Sequence, residues 1–152
     1  MAKLTEIRLT LAAFIYSIEL DLKQIINEYI SSNFSDLSFL GDSSFVDRIK
    51  SRFLKEYVGL DPDNNIIQLV DFVDFQDTYT IIFKNKQYVP EHIIQELKNI
   101  TAKLDLIVPI RNRVMHTRPL QVGDFTEIYA FVNEITESSK IKWQTTIETK
   151  EK

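Results

Sequence analysis

The chain has 152 residues, 44% hydrophobic and 26% charged, with a formal net charge of −4. That is the composition of one globular domain and not of a disordered chain. Three glycines, four prolines and no cysteine exclude collagen-like and turn-dense all-β architectures, disulfides, thiolate metal sites and cysteine nucleophiles.

The first segment reads as a long helix near residues 4–30. Leu4, Ile7, Leu11, Phe14, Ile18, Leu22, Ile25 and Tyr29 recur at gaps of three or four, with Lys3, Glu6, Asp21, Lys23 and Glu28 mostly between them. Such a stripe needs a partner helix, and its polar face is not basic enough for a membrane-surface helix. The apolar run Leu9 to Ile18 is bounded by Arg8 and Glu19. It is too short to span a bilayer, which takes about 20 residues. With no secretory signal in view, a soluble, cytoplasmic protein without membrane contact is expected.

Ser31 to Asp42 is the first break, and Asp42-Ser43-Ser44 offers an N-cap to a second helix through Phe45, Ile49, Phe53 and Tyr57. Gly59 ends that helix, and Asp61-Pro62-Asp63-Asn64 is a turn. Ile66 to Lys86 is rich in β-favouring residues, yet Ile66, Leu69, Val70 and Val73 also fit helical spacing. Helices broken near Asp74 to Asp77 are favoured there because the rest of the chain is helical.

Pro90 opens a helix striped by Ile93, Ile94, Leu97, Ile100, Leu104 and Ile107 or Val108. Pro109 is expected to kink or interrupt it, with helix resuming over Ile110 to His116. Asp124 is expected to cap a last helix through Phe125, Ile128, Tyr129, Val132 and Ile135. Residues 141–152 lack a sustained stripe and read as a polar tail, a linker or a short added strand. The expected architecture is an all-α bundle of about five or six helices over residues 1–140, kinked at Pro109.

Two places carry titratable chemistry. Five aspartates lie between Asp61 and Asp77 without one Lys or Arg. Their spacing matches no Ca²⁺ loop, and they read as a solvated acidic face. The other place is Pro109 to Pro119, which holds Arg111, Arg113 and Arg118, half of the six arginines, together with His116. No acid occurs from Leu106 to Val122. Only two histidines exist, His92 and His116, so a histidine-rich metal site is not expected.

These residue types suit phosphodiester chemistry. Histidine moves a proton near neutral pH, arginine forks onto phosphate oxygens, and asparagine orients an imidazole or a sugar hydroxyl. Attack by a ribose 2′-hydroxyl needs a base, an acid and a cation, so no cofactor and no metal are expected. On a helix Asn112 and His116 are about 40° apart, whereas Arg111 is about 140° from His116. Arg111 and His116 converge only if Arg111 reaches round, if the helix distorts, or if a second chain completes the site. The plainer alternative is a solvated arginine cluster with a histidine near a helix C-terminus, where a cation is favoured.

Arg111-Asn112-x-x-x-His116 resembles the Arg-x(4–6)-His motif of the HEPN superfamily. The surrounding order is similar too: Asp71-Phe72-Val73-Asp74-Phe75, an apolar segment, a long helix, the motif, Pro119-Leu120 and a last helix starting near Asp124. The resemblance covers roughly residues 60 to 140, as in RNA-surveillance and defence-system HEPN domains. It implies a helical bundle that forms a homodimer, with the two motifs meeting across the interface. It also implies a metal-independent endoribonuclease, such as the effector of a defence or toxin–antitoxin system. In that reading His116 is the general acid/base, Arg111 stabilises the scissile phosphate, and Asn112 supports their orientation. Arg113 and Arg118 are added from charge as RNA-backbone contacts. The expected partners are RNA, a second copy, and an antitoxin or a fused or separate regulatory protein. The other expectation is a non-catalytic dimerisation or recruitment module.

Overall fold

The computed structural model describes residues 4–65 and 69–152. Among them no strand occurs, and six α-helices follow in order: α1 (Leu4–Ile25), α2 (Ser43–Glu56), α3 (Phe75–Lys84), α4 (Glu91–Met115), α5 (Asp124–Ser138) and α6 (Gln144–Glu151). The all-α bundle read from the sequence is the observed fold class. The expected single domain over 1–140 resolves into two compact units, residues 4–21 with Gln95–Lys152, and Leu22–Ile94.

In the unit Leu22–Ile94, helicity continues past α1 as one π-turn, Ile26–Ile30, then a 3₁₀ turn, Ser31–Asn33. The wider turn holds an extra residue, and Ser31 N–H bonds back to the Ile26 carbonyl. It shifts the buried stripe by one position, so Ile26 and Ile30 are buried where the 3.6-residue period marks Tyr29.

Asp42 caps α2 as expected, its Oδ1 accepting from Phe45 N–H at 2.8 Å. Ile49 and Phe53 are buried on the inner face of α2, and the Phe53 ring meets Phe72 edge-on at 5.9 Å. Within the ambiguous stretch, Ile66 lies with 67 and 68 outside the described residues. From Phe75 helix wins over β-propensity, because Phe75, Tyr79, Ile81 and Ile82 bury a helical face. A buried Asn85 side chain donates to the Phe39 carbonyl at 2.9 Å, satisfying a loop group that has no ladder of its own.

In the other unit, the first part of α1 buries Leu11, Phe14, Ile15 and Ile18. The last part of α4 buries Leu97, Leu104, Ile107, Ile110 and Val114, and α5 buries Ile128, Phe131, Val132 and Ile135. Helix α4 runs through Pro109 without interruption. No helix among the described residues is long and apolar enough to cross a membrane.

Residues 141–152 are not a polar tail or a linker. Trp143 is fully buried, Ile141 is 7% exposed, and α6 follows. The segment packs because its few apolar residues are supplemented by polar ties. The Asp21 carboxylate of α1, itself buried, accepts from Thr145 N–H at 2.9 Å, Thr146 N–H at 2.9 Å and the Thr146 hydroxyl at 2.7 Å. This places a carboxylate on the otherwise unpaired amides of a helix N-terminus. Ser17 and Thr149 hydroxyls share a hydrogen bond, and Lys150 reaches Glu137 at 3.2 Å. Asp21 and Lys23, both read as solvent-facing, are buried. Lys23 donates to the Asp71 carbonyl at 2.9 Å.

Asp21→Ala leaves a buried amide, a half-buried amide and a hydroxyl without their acceptor, a loss of about 1–3 kcal/mol. Urea unfolding should show that loss. The emission of the single tryptophan, Trp143, should shift red in the variant before global unfolding.

Candidate functional site

The site is built around the end of α4. Ile110 and Val114, four residues apart, bury one face of the last turns and leave Arg111, Asn112 and Arg113 half-buried and Met115 and His116 exposed. His116 N–H donates to the Asn112 carbonyl at 3.1 Å, the last regular bond of the helix. Arg118 N–H then reaches back to the Arg113 carbonyl at 2.9 Å, while Thr117 between them has φ +57°. This is a Schellman termination, which is ordinarily given to glycine. A β-branched threonine in the left-handed region costs about 1–2 kcal/mol. The strained residue directly follows His116.

Two arginines hold this helix end. Arg8, from α1, donates through Nη1 to the carbonyls of Arg113 at 2.9 Å and Val114 at 3.2 Å, and through Nη2 to the carbonyl of Arg118 at 2.6 Å. It satisfies carbonyls of the last turn and sets a cation against the negative end of the helix. Arg113 forks onto Asp124, Nε to Oδ2 at 3.0 Å and Nη2 to Oδ1 at 2.6 Å. Gln121 N–H also donates to Asp124 Oδ2 at 2.9 Å. The Arg113 fork holds the Asp124 carboxyl below its usual range, against the opposing pull of burial. Asp124 is therefore not the side-chain cap of α5 that the sequence led us to expect. It is the first residue of that helix, after Gly123 at φ +96°, and its carboxylate faces back to α4.

Of the sequence-predicted site residues, Asn112 and His116 lie on one face, about 40° apart. The helix does not unwind between Arg111 and Met115, so Arg111 stays about 140° round from His116 within one chain. Arg111 keeps a buried Nε with no hydrogen-bond acceptor. Arg118 is exposed in the turn. Arg8 was missed in the sequence. Its only signal was position on a helix, and the fold raises the arginines at this helix end to four of six.

Beside this end lies apolar surface. Ala102, Leu106, Pro109 and His116 are all exposed, and at about 100° per residue they share one face of α4. Leu106 is 63% exposed and, with Lys103, Ile107, Ala130 and Phe131, borders a groove of about 370 Å³ between α4 and α5. Phe125 and Tyr129 of α5 stack on each other at 5.7 Å and are both exposed.

The aspartate-rich stretch lies in the other unit and is largely committed. Asp61 accepts from Asp63 N–H at 3.0 Å and from the Asn64 side chain at 2.8 Å, Asp63 pairs with Lys50, and Asp74 with Arg52. Burial pushes the Asp77 carboxyl up, and neighbouring Asp74 adds to the shift against Arg48 and Arg52. Among the described residues no three carboxylates or histidines converge as metal ligands.

Comparisons with family models, curated proteins and solved structures return no match.

Because Asp124 is held below its unfolded value, which is about 3.9, its pairing with Arg113 stabilises the fold above that pH. The contribution is lost as pH falls through the lower folded value. Asp124→Asn should therefore be less stable than wild type at pH 7. The gap should close progressively below about pH 4, as read from unfolding midpoints across the acid range.

Proposed function

We propose that the chain is a metal-independent endoribonuclease of HEPN type, active as a two-fold dimer through Arg111 and His116. The observation that supports this most is how the arginines at the end of α4 are spent. Arg8 and Arg113 are bound to protein acceptors, whereas Arg111 retains a buried Nε without an acceptor and His116 is exposed. An uncommitted guanidinium and an exposed imidazole are the two groups that phosphate chemistry needs.

The reaction is transfer of the phosphoryl group to the ribose 2′-oxygen. One imidazole takes the 2′-hydroxyl proton as the oxygen attacks phosphorus. A protonated imidazole gives a proton to the departing 5′-oxygen, and the products are a 2′,3′-cyclic phosphate and a 5′-hydroxyl. Base and acid act on opposite sides of phosphorus, so a two-fold site supplies both from two copies of His116. It also removes the angular problem, because Arg111 of one protomer serves the phosphate beside His116 of its partner. Arg111 stabilises charge on the phosphate oxygens, and Asn112, one turn before His116, orients the imidazole. Arg118, exposed in the turn, contacts the RNA backbone. Arg113 acts through Asp124 and holds the loop.

His116→Ala should lower cleavage of RNA by about 10²–10⁴ or more with the fold intact. Arg111→Lys should be severely impaired, since an ammonium cannot fork onto phosphate. Cleavage should survive EDTA and stop when the sugar at the cut is 2′-O-methylated. Equal RNA degradation by wild type and His116→Ala would overturn the proposal.

The second reading, a non-catalytic dimerisation or recruitment module, draws on the exposed ridge Ala102–Leu106–Pro109 and the groove beside it. Both readings expect a dimer burying about 800 Å² or more per chain. Sedimentation should show a dimer at tens of micromolar. Leu106→Glu should yield monomers, and only the ribonuclease reading expects cleavage to vanish with them.

A further inference from the structure

We infer that Arg8 is a positioning residue for His116, acting by holding the strained turn at Thr117. The inference rests on the ribonuclease reading for its effect on turnover, but its structural half stands on geometry alone. Arg8 spends three hydrogen bonds on three carbonyls that bracket His116 and Thr117: Arg113 and Val114 before them and Arg118 after them. A planar fork with several N–H groups is suited to join acceptors on both sides of a turn, which a compact ammonium spans less well.

The turn itself is not self-supporting. Thr117 at φ +57° sits where a β-branched residue is disfavoured. Within the turn, the Arg118 N–H to Arg113 carbonyl bond at 2.9 Å draws the chain back. The Arg113 carbonyl accepts from both Arg118 N–H and Arg8 Nη1, so the two bonds share one anchor. Backbone strain persists where the surroundings over-determine it, and at this turn Arg8 does so on the carbonyls while the Arg113–Asp124 fork ties the loop that follows. His116 is the last residue before the strained one, and its Cα direction is set by the same turn. If the clamp opens, Thr117 relaxes to negative φ, the helix end unwinds, and the imidazole leaves its place one turn above Asn112. Arg8 uses its fork on carbonyls of its own chain and so does not act by binding substrate.

The test compares wild type, Arg8→Ala, Arg8→Lys, Thr117→Gly and the double variant Arg8→Ala/Thr117→Gly. Two readouts are taken: amide hydrogen exchange at Arg118, and kcat and KM for cleavage of a short RNA. Arg8→Ala should raise exchange at Arg118 by about tenfold or more. It should lower kcat by up to about 10²-fold with KM little changed. Arg8→Lys keeps the charge and the stem but not the fork, and should lie between. Glycine takes positive φ without penalty, so the double variant should regain both protection and kcat. That rescue is something a loss of general stability would not produce.

Unchanged exchange at Arg118 in Arg8→Ala overturns the clamp. A rise in KM with kcat unchanged overturns positioning and makes Arg8 a substrate contact. A double variant no better than Arg8→Ala breaks the link through Thr117. A wild-type protein inert on RNA defeats the ribonuclease reading, and exchange at Arg118 with the Thr117→Gly rescue still decides whether Arg8 holds the turn.

Discussion

A helix that ends leaves its final carbonyls without donors, and α4 ends where the candidate chemistry sits. Everything at that end follows from how those carbonyls and the neighbouring charges are satisfied. A guanidinium from α1 takes up carbonyls of Arg113, Val114 and Arg118, and Arg113 ties its own side chain to Asp124 at the start of α5. Cation against helix C-terminus and fork against carboxylate are two strong electrostatic geometries available to arginine. With both in use, the turn after His116 takes a conformation that threonine would not choose alone.

This arrangement separates two kinds of arginine in a cluster that looks uniform in sequence. Arg8 and Arg113 neutralise fixed protein groups and build the helix end. Arg111 and Arg118 are not spent in this way, the first half-buried with an unpaired Nε and the second exposed. A positive patch read from composition alone overstates the charge open to a ligand. Here half of the local arginine charge is spent within the chain.

Helix positions and the buried stripe were legible because both follow from a period of 3.6 residues, and the long run from Ile93 to Ile107 shows this well. The period failed where the backbone changed pitch: the π-turn at Ile26–Ile30 moved burial from Tyr29 to Ile30. The sequence also failed where side chains act across long separations. Asp21 looked like an ordinary polar-face residue, and its role depends on Thr145 and Thr146, far along the chain. Arg8 was hidden in the same way. The C-terminal segment was misread because one tryptophan and one isoleucine make no stripe, although a lone Trp143 amid polar residues was a usable signal. The motif residues Arg111, Asn112 and His116 were legible as types and spacing, but which arginines stay free was decided by partners outside the motif.

The bond between Asp21 and Thr146 spans 125 positions, and this orders events during synthesis. At about 5–20 residues per second, the ribosome takes roughly 6–25 s to deliver Thr146 after Asp21. The unit Leu22–Ile94 is continuous in sequence and has all its residues before Thr146 is made. The other unit joins residues 4–21 to Gln95–Lys152, so the Asp21 carboxylate and the Arg8 guanidinium wait in water for partners made much later. A nascent chain of this protein therefore holds every residue of one unit while the other still lacks the segment that Asp21 and Arg8 bind.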